Sequence, residues 1–228
     1  MESVLLYPAE PNHPDRERLR KIGLKVRRRL AANPQVQRIA SDRAELWAMP
    51  RFLDPVECGR LIVMIDRVAQ PSTTYLNKYS DGVRTSFSGN FDPRDPFIVN
   101  LNHRLDALLG LDSSHAEAVE GQRYAAGQEF KPHIDWFQES SPAWAMEKDF
   151  GGQRSYTVMA YLNPVEGGGE TDFPLLDLAV QPLQGLLLVW NNADEDGVPN
   201  PYTLHAGNKV TRGFKYVFTR WYRSRKCD

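Results

Sequence analysis

Tyr124-Ala-Ala-Gly-Gln-Glu-Phe-Lys-Pro-His-Ile-Asp-Trp-Phe137 is the stretch on which the reading of this chain turns, and His133-Ile134-Asp135 is its centre. Taken as an extended strand, it sends alternate side chains the same way. The His133 imidazole and the Asp135 carboxylate then reach one side together. Two such donors make half a metal site, and a third must come from elsewhere. His205 is the downstream histidine with suitable surroundings. Two histidines and one carboxylate on one face, with the other positions open, suit non-haem Fe(II). A His-x-Asp tripeptide alone is more often a surface pair, so the rest of the chain has to decide.

The chain has 228 residues, 41% hydrophobic and 25% charged, which is ordinary for a globular protein with a substantial core. Its net charge of -1 argues against strong general affinity for nucleic acid or an anionic membrane. The two cysteines, Cys58 and Cys227, build no disulfide framework, which points to a reducing compartment. The apolar run within Met1–Pro8 is too short for a signal peptide, and no run reaches the ~18 apolar residues of a spanning helix. The expected location is cytoplasmic.

Residues 1–14 hold three prolines and no clear period, as in an irregular arm. From Asp15 to Ala32, Leu19, Ile22, Val26 and Leu30 recur at helical spacing among many Arg and Lys, which reads as the solvated face of a docked helix. Asp54-Pro-Val-Glu57 and Asp95-Pro96 each place a capping aspartate before a proline, starting two more helices. The second runs to Leu109 with Ile98, Leu101, Leu105 and Leu108 inward. From Ala118 onward short apolar or alternating runs, 118–125, 132–137, 155–162, 179–181, 186–191 and 214–222, are divided by Gly, Pro and Asn. Strands at this density predict a jelly roll. The fold expected is mainly β: a jelly roll with N-terminal helices packed on one sheet. It forms one domain over 1–228, with an arm and helix (1–44), a helical support region (45–117) and a catalytic core (118–224).

Within Phe214-Lys-Tyr-Val-Phe-Thr-Arg-Trp-Tyr222, alternation puts Lys215, Val217, Thr219 and Trp221 on one face. An inward lysine is costly unless it meets an anion, so a bound carboxylate would be its natural partner. Thr157 is placed to add a hydroxyl to that carboxylate. The glycines of Gly167-Gly-Gly-Glu-Thr-Asp-Phe-Pro174 make a hairpin turn, with no Walker lysine after them.

Several stretches in this order resemble the prolyl 4-hydroxylase branch of the Fe(II)- and 2-oxoglutarate-dependent dioxygenases. They are Phe52-Leu-Asp-Pro-Val-Glu-Cys58, Val83-Arg-Thr-Ser86, Arg123-Tyr-x-x-Gly127, His133-x-Asp135-x-Phe137, Tyr161-Leu-Asn163, Gly168-Gly-Glu-Thr-x-Phe-Pro174, Leu204-His-Ala-Gly207, Gly213-x-Lys215 and Trp221. The resemblance implies a double-stranded β-helix with iron on His133, Asp135 and His205, and 2-oxoglutarate on Lys215, with Tyr124, Thr157 and Trp221 helping to bind it. It implies Arg84 and Arg154 on the substrate side, and O2 as oxidant, with ascorbate as an accessory reductant. The activity implied is hydroxylation of an unactivated C–H bond, coupled to release of succinate and CO2.

One departure is Phe130, where the family often has a substrate-positioning tyrosine. A missing hydrogen bond of about 0.5–1.5 kcal/mol is small for the fold yet can retune substrate choice. The substrate implied is a prolyl residue of a protein or peptide; a free amino acid or small metabolite is the alternative. A silent module binding proline-rich peptides would need no metal ligands, and the basic helix over 15–32 gives little reason to expect nucleic acid. The segment from Gln138 to Arg154, with Trp144, Met146 and Phe150, is long enough for a lid.

Overall fold

The computed structural model describes residues 7–74 and 79–227. Most of the Met1–Pro8 run lies outside them. Helix α1 is Arg16–Ala31, α2 Pro55–Val68, α3 Pro96–Leu109 and α4 Pro142–Glu147. The α2 capping box forms as its sequence predicts: Asp54 accepts from the Glu57 N–H, and Glu57 accepts from the Asp54 N–H. Asp95 caps α3, whose buried stripe is Ile98, Leu101, Leu105 and Leu109. Leu108, expected inward, is half-buried against the same core, and continuing the helical phase by four adds Leu109 as the fully buried residue. Asp15 does not cap α1 with its side chain. Its buried carboxylate instead accepts from the Gln153 N–H and the Ser224 hydroxyl, tying the arm to the end of the chain.

The strands are β1 Gln37–Ile39, β2 Leu46–Met49, β3 Gln70–Pro71, β4 Phe87–Asn90, β5 Glu120–Ala125, β6 Phe130–His133, β7 Arg154–Tyr161, β8 Gly167–Gly168, β9 Thr171–Phe173, β10 Leu178–Val180, β11 Leu187–Asn191, β12 His205–Gly207, β13 Val210–Arg212 and β14 Phe214–Arg223. An eight-stranded sheet runs β1-β2-β11-β7-β14-β5-β4-β3, a four-stranded one β10-β9-β12-β6, and β13 pairs with β8. Every pairing is antiparallel. This is the expected jelly roll with helices on one sheet.

Alternation along β7 and β14 divides the core in two. Tyr156, Val158, Ala160 and Phe218 pack with Val26, Leu61, Ile65 and Leu105 of the helices. Met159, Tyr161 and Val217 face the other way, with Trp190, Phe173 and Tyr124. The cavity described below lies on this second side. The basic residues of α1 sit on its outer side, where Glu17 pairs with Arg20 and Lys21; Arg27 alone turns in, to Glu45. Among the described residues, no helix is long and apolar enough to cross a membrane.

The strand that bears His133 is Phe130–His133, not 132–137. Its partner β12 is three residues long, and the ladder ends where His205 faces His133. Beyond it Ile134 and Asp135 have no strand to pair with, so Asp135 sits in a bend. Pro132 is tolerated because β6 is an edge strand.

Gly121 of β5 lies beneath α2. A Cβ there would fall 2.4 Å from Ile65 Cγ1 and 2.8 Å from Phe91 Cζ. Gly121→Ala should therefore destabilise the protein by about 1–3 kcal/mol. The check is urea unfolding, where the midpoint should fall with the slope unchanged.

Candidate active site

His133 and His205 face each other across the β6–β12 ladder, their ring centroids 4.3 Å apart. Each Nδ1 meets a backbone carbonyl, Lys131 O at 2.8 Å for His133 and Thr203 O at 2.9 Å for His205. A carbonyl only accepts, so each Nδ1 donates its N–H there, which leaves each Nε2 as the ring atom turned toward Asp135. Asp135 Oδ1 lies 4.0 Å from His133 Nε2, and Oδ2 lies 3.8 Å from His205 Nε2. One donor atom from each of the three falls within 4.8 Å of the others, a set that can close on one ion. Burial, with His205 adding, pushes His133 down to about 3, so it is neutral and able to ligate near neutral pH. Burial pushes the Asp135 carboxyl up, but His205, His133, Arg154 and Thr157 together hold it below its ordinary value.

A second cluster, Glu10, His13 and Glu139, is also close enough for an ion. His13, however, already accepts from the Asp15 N–H, and its other ring nitrogen faces the Gln153 amide.

Thr157 stands apart from its expected place. Its hydroxyl donates to Asp135 Oδ2 at 2.7 Å and accepts from Asn192 Nδ2 at 2.9 Å. An amide N–H can only donate, so the threonine proton must point at Asp135. The hydroxyl is thereby committed to a metal-ligand candidate and not to the carboxylate that Lys215 would hold. Asn192 was not singled out from the sequence; nothing local marks it before the loop brings it home.

Beyond the trio a narrow cavity runs between the sheets to Lys215, which is 2% exposed. Its ammonium lies 5.3 Å from the Tyr124 ring centre and 5.5 Å from that of Tyr161. Burial pushes it down to about 7, with Glu170 acting the other way. Lys215, Val217, Thr219 and Trp221 all line this cavity, as alternation along β14 requires. Gln122, Met159 and Trp190 also line it and were not singled out in the sequence. The alternation along β5 that carries Tyr124 would have found Gln122. The indole N–H of Trp190 is buried and has no acceptor among the described residues.

His133 and Asp135 also border a wider outer cleft of about 530 Å³. Arg84 and Arg154 both line it, each already paired: Arg84 with Glu120, and Arg154 with both oxygens of Glu117 at 2.7 Å. The Arg154 guanidinium stacks 4.0 Å from the Trp221 ring centre. Phe130 lies flat on His133, ring centres 3.5 Å apart, with Arg84 over its other side at 5.1 Å. In the 138–154 segment, Gln138, Ser141 and Ala143 line the cleft. Trp144 is buried with Phe137 and Ala143, whereas Met146 and Phe150 face solvent. The apolar groups expected to close over the cleft thus divide between an inward anchor and a wet outer side.

Residues 119–223 match the model of the 2OG-Fe(II) oxygenase superfamily. The chain is 30% identical over 216 residues to prolyl 4-hydroxylase 2 of Arabidopsis thaliana, covering 83% of this chain and 70% of that protein. The chain belongs to the prolyl 4-hydroxylase family. It is also 38% identical over 132 residues to the human prolyl 4-hydroxylase subunit alpha-3, covering 57% of this chain but only 24% of that subunit. Among solved structures, the viral collagen prolyl hydroxylase of Paramecium bursaria Chlorella virus-1, in its 2OG complex, superimposes with a TM-score of 0.61 at 27% identity. That match covers 78% of this chain and 95% of the viral one.

For a family that works with Fe(II) and 2-oxoglutarate, the donors here fit both groups. The trio offers two imidazole Nε2 atoms and a carboxylate, and the far end offers a buried lysine. The Asn192–Thr157–Asp135 relay should matter to metal retention, since such outer partners typically contribute ten- to hundredfold in affinity. Thr157→Val keeps the shape and removes the hydroxyl. Titration with Co(II), followed by its visible absorption, should show weaker binding of about that size.

Proposed function

We propose that this chain is a prolyl 4-hydroxylase of protein or peptide substrates, using Fe(II), 2-oxoglutarate and O2 and releasing succinate and CO2. The observation that carries this reading is the cavity between the sheets. One end gathers the Nε2 atoms of His133 and His205 with the Asp135 carboxylate; the other buries an ammonium with no ion pair among the described residues. A five-carbon 2-oxo diacid suits both ends: its keto acid side belongs on the metal, its distal carboxylate on Lys215. When bound, the iron and its cosubstrate supply the oxidising power that cleaves the C–H bond.

The chain's own groups position these partners. Thr157 and Asn192 fix the Asp135 carboxylate, and the carbonyls of Lys131 and Thr203 fix the two imidazoles. Tyr124 and Tyr161 give the Lys215 ammonium aromatic faces on which to rest. Trp221 lies where cavity and cleft meet, and Arg84 and Arg154 form the cleft's walls. Because both arginines are neutralised by carboxylates, the cleft favours an uncharged prolyl segment over the carboxylate of a free amino acid. The names of the Arabidopsis and viral relatives support the same substrate class. The reading takes 1–228 as one dioxygenase domain. Two thiols not joined in a disulfide support a reducing, cytoplasmic setting.

Anaerobic addition of Fe(II) and then 2-oxoglutarate tests the reading, because bidentate cosubstrate on this donor set gives a weak visible charge-transfer band. The band is expected for the native protein. Lys215→Ala should retain metal but bind 2-oxoglutarate about thirtyfold or more weakly, the usual cost of stripping one partner from a buried charge pair. If the band is missing from folded native protein, or His133→Ala gives the same band, the oxygenase reading fails.

The position of Lys215 near 7 adds a pH dependence. The distal carboxylate needs the charged lysine, which the empty cavity holds fully only below about 7. Affinity for 2-oxoglutarate should be greatest there and fall as pH rises above it. Calorimetry above neutrality, in buffers of different ionisation enthalpy, should show net proton uptake on binding.

A further inference from the structure

The inner wall of the site carries a row of polar groups that neither metal nor cosubstrate binding explains. On β5, Glu120, Gln122 and Tyr124 share one face by alternation, while Gly121 faces Ile65 and Arg123 faces Asp66. Register with β14 sets Glu120 opposite Thr219, Gln122 opposite Val217 and Tyr124 opposite Lys215. The row therefore runs from the outer cleft, which Glu120 lines, to the cavity under Lys215, which Gln122 and Tyr124 line.

Its hydrogen bonds are continuous. Arg84 Nη2 donates to Glu120 Oε1 at 2.5 Å. Gln122 Nε2 donates to the same oxygen at 3.0 Å and to Thr219 Oγ1 at 3.1 Å. Gln122 Oε1 accepts from the Tyr124 hydroxyl at 2.8 Å. Chemistry fixes the direction of each. Ionised Glu120 only accepts, so the amide must turn its NH2 to it and its carbonyl to Tyr124. Gln122 is buried with both N–H groups and its oxygen used, so a flip would set its carbonyl against a carboxylate.

We infer that Gln122 is a positioning residue that ties the cleft to the cosubstrate cavity: it links Glu120 to Tyr124 and, beside Arg84, which also reaches the Tyr124 hydroxyl, holds that ring in place beneath the Lys215 ammonium. Glu120, which lines the cleft and not the inner cavity, then contributes to 2-oxoglutarate affinity without touching it. Anything in the cleft that draws Arg84 from Glu120 loosens the aromatic floor of the cavity. This rests on the reading that the cavity takes 2-oxoglutarate.

The test is 2-oxoglutarate binding by calorimetry, with Mn(II) in place of Fe(II) and no peptide present, alongside thermal melts. Gln122→Met keeps the volume and removes the hydrogen bonds. It should weaken binding about five- to tenfold, the weight of one buried hydrogen bond. Glu120→Gln should weaken it less, and the two together should be no worse than Gln122→Met alone, as for members of one network. The exchanged pair, Glu120→Gln with Gln122→Glu, restores a donor facing a carboxylate and should recover affinity, which a role in packing alone would not produce. Affinity unchanged in Gln122→Met, strict additivity, or an exchanged pair no better than Gln122→Met would overturn the inference. Native protein that binds no 2-oxoglutarate would instead defeat the functional reading on which it depends.

Discussion

A lysine ammonium held between two β-sheets is the constraint to which the rest of this structure answers. An unpaired charge away from water is among the costliest things a fold can contain. The protein lowers the cost with what it can offer without an anion: the faces of Tyr124 and Tyr161 and the more distant charge of Glu170. A carboxylate placed nearby in the chain would have been a better partner for stability. In the proposed reading this leaves the cation for the distal carboxylate of 2-oxoglutarate, and the stability forgone reappears as affinity.

Strand β14 makes that arrangement possible. It lies between β7 and β5 in the large sheet, and its two faces serve different ends. Phe218 and Tyr222 pack into the helical core, while Lys215, Thr219 and Trp221 look into the site. The helices are therefore not incidental cover. They hold the sheet that holds the lysine, and the apolar contacts of α1, α2 and α3 support a polar cavity that could not support itself.

Much of this was legible in the sequence where chemistry and local geometry coincide. The caps at Asp54 and Asp95, the β14 alternation and the His133-x-Asp135 pair carry short-range signals, and His205 joined that pair through the ordered set of family-like stretches. Others had no such signal. The end of β6 at His133 depends on how short β12 is, some seventy positions later. The position of Thr157 depends on Asn192, which arrives from a loop whose path no periodicity describes. Both Leu108 and Leu109 of α3 fit the local pattern, and only packing decides that Leu109 is fully buried and Leu108 half-buried against the same core. Arg84 and Arg154 could be placed near the cleft, but their neutralisation by Glu120 and Glu117 is a fact of tertiary structure alone.

The metal-ligand candidates His133 and His205 belong to the small sheet, and Lys215 to the large one. No single segment therefore sets the distance between the two ends of the cavity. Sheets packed face to face keep a spacing of about 10 Å, fixed by the side chains between them. In the proposed reading that spacing acts as a ruler for diacids: one carbon chain length bridges both ends, and shorter or longer homologues strand a charge at one of them. Selectivity for the cosubstrate then resides in core residues such as Met159 and Phe173, which separate the sheets, as much as in the groups that touch it.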